Sequence, residues 1–210
     1  MLVKYPRTLH VPWSIGVTSD DRVLQNMDGF QNQEVVVLEK LDGENTSLYK
    51  DAMHARSLSS MHHPSRTWVK TLQGSIGYRI PEGWRICGEN VYACHSIHYT
   101  ELTSYFYVFS VWNEKNECLS WDETVAWCEK LGLVHVPVLY RGPYNEKAIR
   151  LCYSGKSIFG SIQEGYVLRF TKTFHYDDFS QSVGKFVRKD HVQTNKHWMT
   201  QTVLPNQSAK

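Results

Sequence analysis

A chain of 210 residues is long enough for one sizeable domain with its own buried core. Its hydrophobic share of 41% and charged share of 21% exclude extensive disorder, and no apolar run approaches the roughly 20 residues needed to cross a bilayer. The net charge of +2 is too small to indicate nucleic-acid binding by bulk electrostatics. The N-terminal residues lack the apolar core of a signal peptide. We therefore expect a cytoplasmic protein with no membrane attachment, whose function must be sought in its motifs.

The first half of the chain predicts a hairpin followed by a helix. A β-branched run at 34–40 and a second apolar segment at 45–50 flank Gly43, a pattern typical of two paired strands joined by a tight turn. Residues 65–80 have apolar spacing typical of a helix, which we expect to break near one of its glycines.

The middle of the chain predicts two strands and a well-delimited helix. Segments 83–93 and 104–114 are rich in β-branched and aromatic residues, and we expect them to pair antiparallel. Ser120 and Glu123 then form a capping box, and Gly132 supplies a C-terminal stop, so a helix is predicted between them.

The last third predicts three strands and one helix. The strands are expected at 134–142, 164–170 and 183–192, and the helix at 145–153. The fold class is therefore α+β, with antiparallel sheets and a few helices on their outer faces. We expect one domain over residues 1–192 and a polar C-terminal tail over 193–210, which has too few apolar residues for a second domain.

The residues that follow the first predicted strand can carry chemistry. A deprotonated lysine attacks activated phosphates, so the pKa of Lys40 would have to be lowered by a neighbouring cation or by burial. Gly43 permits close approach of a nucleotide, while Asp42 and Glu44 offer oxygen to ribose hydroxyls or a metal ion. Taken alone, this K-x-D-G pattern also fits a solvated lysine at a hairpin end.

Further charged and aromatic residues follow this lysine in a defined order, which is Lys40, Arg56, Glu89, Phe109, Glu164 and Lys185. That order resembles the collinear motifs of the covalent nucleotidyltransferases. In particular, the chain from residue 34 to 192 resembles the ATP-dependent RNA ligases, the family that includes the phage and kinetoplastid editing ligases. The resemblance implies a nucleotidyltransferase fold, an ATP-grasp-like ligase adenylation domain.

The resemblance also implies a reaction. Lys40 would attack the α-phosphorus of ATP and form lysyl-AMP. The AMP would then pass to an RNA 5′-phosphate, which is sealed to a 3′-hydroxyl. Asn45 matches the asparagine of the RNA-ligase pattern, where DNA ligases and capping enzymes with K-x-D-G usually carry arginine.

The nucleotide contacts implied by the resemblance fall on five further residues. Arg56 is expected near the ribose or the acceptor strand, and Glu89 at the ribose hydroxyls. Phe109 and Val167 would pack on opposite faces of adenine. Glu39, next to the lysine, is counted with the nucleotide-binding residues.

The resemblance implies a metal and a second lysine as well. Glu164 would help place Mg²⁺ or Mn²⁺, and Lys185 would contact the α-phosphate. Many relatives carry two lysines one residue apart in this last motif, but position 187 is Val. Arg188 or Lys189 would then supply the second cation.

The expected partners are RNA ends, and a second protein or a structured RNA would replace the second domain that many such ligases append. Two alternatives stand beside this interpretation. One is a DNA nick ligase or a capping-type guanylyltransferase, which Asn45 disfavours. The other is a non-catalytic nucleotide- or RNA-binding protein that keeps the pocket, which the altered last motif keeps open.

Overall fold

The computed structural model describes residues 1–59, 63–189 and 203–209. In this part of the chain twelve strands are present: β1 Leu9–His10, β2 Glu34–Lys40, β3 Glu44–Leu48, β4 Met53–Ala55, β5 Arg85–Asn90, β6 Phe106–Trp112, β7 Glu117–Cys118, β8 Val134–His135, β9 Val138–Pro143, β10 Gly165–Phe170, β11 Phe174–His175 and β12 Val183–Val187. The α-helices are α1 Thr67–Ile76, α2 Trp121–Leu131, α3 Glu146–Arg150 and α4 Phe179–Ser182. Short 3₁₀ turns lie at Asp28–Phe30, Pro64–Arg66, Gly77–Arg79 and Tyr176–Asp178.

The strands form two sheets that face each other. The first has the order β1-β12-β10-β2-β9, and the second has the order β11-β7-β6-β5-β3-β4 with β8 paired to β6. Neighbouring strands are antiparallel except in the β1–β12 and β6–β8 pairs. The predicted α+β class of largely antiparallel sheets with a few helices is confirmed.

The predicted hairpin at 34–40 and 45–50 is wrong, because these consecutive strands belong to different sheets. Strand β2 pairs with β9 and β10, whereas β3 pairs with β4 and β5. The link between them runs close to other backbone, since a Cβ at Gly43 would lie 2.5 Å from the carbonyl oxygen of Asn90. The Asp42 carboxylate fixes the link by accepting hydrogen bonds from the N–H groups of Ser96 and Ile97, at 2.7 and 2.8 Å.

The predicted strand at 134–142 is likewise two strands in two sheets. Strand β8 pairs with β6 and β9 pairs with β2, and the chain crosses between the sheets at Val136 and Pro137. The helix predicted at 145–153 is shorter, and the last strand ends at Val187; positions 190–192 of that prediction lie outside the described residues. Sequence patterns did not predict β1, β4, β7 and β11, which are only two or three residues long.

The other predicted elements are confirmed within a few residues. Strands β5 and β6 pair antiparallel, and α1 ends where Gly77 begins a 3₁₀ turn. At the start of α2, Ser120 Oγ accepts from the Glu123 N–H, and the Glu123 carboxylate accepts from the Ser120 N–H at 3.0 Å. Gly132 ends α2 with φ +69°, the left-handed conformation that glycine adopts at low cost.

Hydrophobic clusters lie between the sheets and beneath α1 and α2. A buried arginine, Arg169 of β10, joins the two sheets. Its guanidinium donates to the carbonyls of Phe109 and Leu119, at 3.2 and 2.7 Å. Both contacts satisfy buried polar groups that would otherwise destabilise the interface between the sheets.

Residues 193–202 and 210 of the predicted tail lie outside the described residues, but 203–209 pack against the loop 91–102. Asn206 is buried, accepts the Tyr99 N–H at 2.9 Å and donates to the Val91 carbonyl at 2.8 Å. Across the described ranges, none of the helices combines the length and apolar character that a bilayer crossing requires.

Candidate active site

A cavity of about 830 Å³ opens between the two sheets. It contains eight of the nine residues that the sequence predicts for the site: Glu39, Lys40, Asn45, Arg56, Glu89, Phe109, Val167 and Lys185. The ninth, Glu164, does not line the cavity but contacts Lys40 directly. The fold therefore brings together residues that are as much as 146 positions apart in the sequence, from Glu39 to Lys185.

The strand register of the first sheet places the apolar and the cationic site residues side by side. Leu38 of β2 pairs with Val167 of β10, and Val167 pairs in turn with Lys185 of β12. Lys40 pairs with Gly165, the residue after Glu164, which brings the acid to the end of β2. One face of this sheet thus presents Val167, Lys185 and Lys40 to the cavity.

The second sheet supplies the opposite wall. Asn45 of β3 pairs with Glu89 of β5, so their side chains are cross-strand neighbours. Between β5 and β6 the register shifts, with Gly88 opposite Val108 and Cys87 opposite Ser110. Phe109 is the extra residue of this bulge, and a bulge of this kind re-aims a side chain. Phe109 is half-buried and faces the cavity across from β10.

Lys40 is held by an acid. Its Nζ donates to Glu164 Oε2 at 2.8 Å, and the two side chains are 24% and 7% exposed. Burial alone would lower the pKa of Lys40, but the carboxylates of Glu164 and Glu89 outweigh burial and raise that pKa well above its ordinary value. This is the reverse of the shift that nucleophilic attack requires, because acids rather than cations surround the ammonium.

The acids around Lys40 are themselves perturbed. Burial raises the pKa of Glu89 to about 8 and that of Glu164 to about 7, although Lys40 acts in the opposite direction on both. Burial also raises the pKa of Glu39, against smaller effects from Ser157 and Ile158. Among the described residues neither Glu39 oxygen has a hydrogen-bond partner of good geometry. Glu39 is thus a buried acid at the cavity wall.

Two acids that the sequence offers to a ribose or a metal already have protein partners. Asp42 accepts backbone N–H groups, as described above, and Glu44 is bound by the Arg66 guanidinium, with Nε to Oε1 at 2.6 Å. Arg66 lines the cavity and was missed from the sequence. No local pattern marks it, because its partner lies 22 residues away.

The last motif also has a partner that sequence patterns did not indicate. Lys185 Nζ lies 3.5 Å from Asp21 Oδ1, and both residues line the cavity. Burial and the charge of Lys40 lower the pKa of Lys185, while Asp21 opposes them. Neither Arg188 nor Lys189 is among the described residues that line the cavity, whereas Arg7 is.

The donor groups at the site suit a divalent cation that also binds a substrate. Asn45 Oδ1 is buried without a hydrogen-bond partner among the described residues, and the Glu164 and Glu89 side chains both lie close enough to Lys40 to raise its pKa. No group of three or more His, Cys, Asp or Glu side chains in the described ranges is placed to hold a metal alone. Mg²⁺ commonly binds through one or two carboxylates together with substrate phosphates, so these residues fit that mode.

Comparison with protein families decides the classification. The family model described as RNA ligase matches residues 33–187, which include every element that lines the cavity except the N-terminal segment. The chain belongs to the RNA ligase family. Among the predicted site residues, all nine fall inside the matched range.

Solved structures of RNA ligases share the fold of this family member. A Naegleria gruberi RNA ligase mutant in its apo form aligns with a TM-score of 0.55 and 16% identity, over 77% of this chain and 51% of that one. A mutant of the same ligase with ATP and Mn aligns with a TM-score of 0.54 and 17% identity, over 77% and 52%. An archaeal ATP-dependent RNA ligase aligns with a TM-score of 0.56 and 18% identity, over 89% and 48%.

The chain therefore spans about half the length of these ligases. Identities of 16 to 18% show a common fold. No curated protein matches the chain.

Proposed function

We propose that this chain is an ATP-dependent RNA ligase that works through a lysyl-AMP intermediate. The observation that carries the proposal is the position of Lys40, which lies at the cavity wall against Glu164, with Lys185 two strands away on the same sheet. Family membership supports it, as does the similarity to an RNA ligase solved with ATP and Mn and to an archaeal ATP-dependent RNA ligase.

The two walls of the cavity suit a purine nucleotide. Phe109 and Val167 come from opposite sheets, so a flat base fits between them. The buried Glu39 carboxylate is an acceptor for an exocyclic amine at this end of the cavity. Glu89 and Arg56 are assigned to the ribose and its surroundings.

The first step forms a bond between Lys40 Nζ and the α-phosphorus of ATP. The neutral amine attacks, the bond from that phosphorus to the bridging oxygen breaks and pyrophosphate leaves, and the nitrogen of the new P–N bond releases a second proton to solvent. Lys185 offsets negative charge at the α-phosphate as this happens. AMP then passes to the RNA 5′-phosphate, and attack by the 3′-hydroxyl joins the strands and expels AMP.

Lys40 must lose its proton before it attacks, yet Glu164 and Glu89 stabilise the ammonium. Mg²⁺ or Mn²⁺ held by Glu164, with Asn45 Oδ1 nearby, would supply positive charge that offsets these carboxylates and lowers the pKa of Lys40. Glu164 can release Lys40 for this purpose, because its bond to Nζ is an ordinary ion pair of 2.8 Å.

Substrate and cellular context follow from the same proposal. The acceptors are RNA ends, which a protein distinguishes from DNA by contacts to 2′-hydroxyls. We assign residues 1–192 to the adenylyltransferase domain and 193–210 to a tail. In this proposal a partner protein or a structured RNA helps to bind the RNA strand. A cytoplasmic location stays a prediction.

Incubation with ATP and Mg²⁺ followed by intact-mass measurement tests the proposal. We expect an AMP adduct on the wild type and on Lys172→Arg, and none on Lys40→Arg. ATP binding with no adduct on the wild type would instead favour the non-catalytic alternative. An adduct with GTP in place of ATP would favour a capping-type enzyme, and sealing of DNA ends as fast as RNA ends would favour a DNA ligase.

A further inference from the structure

The N-terminal residues 1–32 lie outside the range matched by the family, yet they help build the cavity. Residues 5–8 and Asp21 line it. Strand β1 runs parallel to β12, with His10 in register with Lys185, and the Val11 N–H donates to the Lys185 carbonyl at 2.8 Å. This segment is therefore attached to the strand that carries Lys185.

A chain of polar contacts runs from this segment to the Lys185 side chain. The His10 side chain is 1% exposed, with Nδ1 2.7 Å from Ser14 Oγ and Nε2 3.2 Å from Asp21 Oδ1. The same Asp21 oxygen lies 3.5 Å from Lys185 Nζ. The second Asp21 oxygen, Oδ2, accepts from the Thr18 N–H and hydroxyl at 3.1 and 2.9 Å.

These contacts keep Asp21 charged and fixed. Burial alone would raise the pKa of Asp21, but the Thr18 hydrogen bonds and the charges of Lys185 and His10 hold it well below its ordinary value. The Asp21 and Lys185 side chains are 15% and 20% exposed, so solvent screens their attraction only partly.

Lys185 needs such a partner. A lysine side chain has four rotatable bonds, and an ion pair restricts the positions that its ammonium can take. Burial and Lys40 disfavour the charged form, and among the acids that act on Lys185, Glu164 is bound to Lys40. Within the described ranges, Asp21 is the acid in direct ion-pair contact with it.

We propose that Asp21 is a positioning residue for Lys185, holding its ammonium at the cavity wall beside Lys40. His10, Ser14 and Thr18 orient the carboxylate that does this. The use of Lys185 on a phosphate rests on the proposed function, but the contact with Asp21 does not. Asp21 thereby fixes the position of the Lys185 charge in the last motif, where Val187 stands in place of the second lysine that many relatives carry.

The first experiment measures Lys185 directly and needs no nucleotide. The full chain is labelled with an acylating reagent over a range of pH, and labelling of Lys185 is read by peptide mass spectrometry. In Asp21→Asn, which keeps the shape and loses the charge, we expect Lys185 to be labelled about three- to tenfold faster at mildly alkaline pH, since loss of the carboxylate favours the neutral amine.

Asp20→Asn is the matched control, because it removes the same charge from an exposed neighbour. We expect its Lys185 labelling to equal that of the wild type. Thr18→Ala changes an exposed residue and leaves Asp21 charged but less firmly held. We expect it to speed Lys185 labelling by a smaller factor than Asp21→Asn does. Equal labelling of Lys185 in the wild type, Asp21→Asn and Thr18→Ala would overturn the proposal.

The second experiment follows AMP-adduct formation with ATP. We expect Asp21→Asn to lower the rate about tenfold with folding intact, Asp21→Glu to recover part of it, and Asp20→Asn to leave it unchanged. Absence of an adduct on the wild type would contradict the proposed function, while the labelling result would still decide the role of Asp21. An adduct rate in Asp21→Asn equal to that of the wild type would contradict the positioning role.

Discussion

The pKa of Lys40 depends on its burial and on two buried acids close to it, Glu164 and Glu89. Glu164 contacts the ammonium, Glu89 acts on it from β5, and both acids are less acidic than usual because they are buried. An acid whose pKa is raised on folding binds its proton more tightly in the folded than in the unfolded chain. Ionisation of these acids therefore destabilises the folded protein.

Substitution of Glu89 tests this balance. With a folded pKa of about 8 against an ordinary 4.5, Glu89 contributes stability that is fully present below about pH 4.5 and is lost as the pH rises through about 8. We expect Glu89→Gln to reduce the fall in unfolding free energy over this range by on the order of 1 to 3 kcal/mol. Urea titrations at several pH values measure the effect.

Glu82→Gln is the control, since Glu82 is 84% exposed in its pair with Lys50. Its stability curve should run parallel to that of the wild type. Parallel curves for Glu89→Gln and the wild type would show that Glu89 is not held in its protonated form.

At the scale of elements, the site depends on two departures from regular pairing. One is the bulge that turns Phe109 toward β10, and the other is the crossing from β2 to β3 through Gly43. The bulge points Phe109 into the cavity, and the crossing puts Lys40 and Asn45 on different sheets. Each can be tested by one substitution.

The bulge predicts a direct contribution of Phe109 to nucleotide binding. Stacking of a base on an aromatic ring is worth about 1 to 3 kcal/mol, so Phe109→Ala should weaken ATP binding by roughly 5- to 100-fold in calorimetry. Tyr78→Ala, which removes a ring that is 77% exposed and outside the cavity, should bind ATP like the wild type. If Phe109→Ala bound ATP as tightly as the wild type, the base would not stack on Phe109.

The crossing predicts that Gly43 tolerates no side chain. A Cβ there would lie 2.5 Å from the Asn90 carbonyl oxygen, so Gly43→Ala should shift backbone and cost about 1 to 3 kcal/mol of stability. Gly74→Ala is the matched control, because nothing lies within 4 Å of the added carbon and alanine favours a helix by about 0.5 to 1 kcal/mol. Thermal unfolding of the two variants should move in opposite directions.

At the scale of the whole molecule, the segment 203–209 is connected through Asn206 and Tyr99 to the link that follows Lys40. The Asn206 side chain accepts the Tyr99 N–H, and the Tyr99 hydroxyl accepts the Asp42 N–H at 2.9 Å. Asp42 lies two residues from Lys40. The C-terminal segment therefore helps to fix the backbone two residues after Lys40.

This link predicts that Asn206→Ala destabilises the protein. The change leaves the Tyr99 N–H and the Val91 carbonyl without their partner, at a cost of about 1 to 3 kcal/mol for unsatisfied buried groups. Gln207→Ala, at the exposed next position, should be within about 0.5 kcal/mol of the wild type. Denaturant midpoints distinguish the two, and equal midpoints would contradict the link.

The sequence alone determined the elements whose signals are local. The capping box of α2, its terminal Gly132 and the strands β2, β6 and β10 follow from residues within one or two turns or from continuous apolar runs. The order of charged and aromatic residues along the chain likewise identified the family and the residues that gather around the cavity.

Only the tertiary structure decided which strands pair and which charges meet. The hairpin around Gly43 is wrong because β2, buried on both faces, gains more by pairing with β9 and β10 than with its neighbour in sequence. The contacts of Arg66 with Glu44 and of Asp21 with Lys185 span 22 and 164 residues, so no local pattern encodes them. The raised pKa of Lys40 has the same origin, since it is set by acids that arrive from other strands.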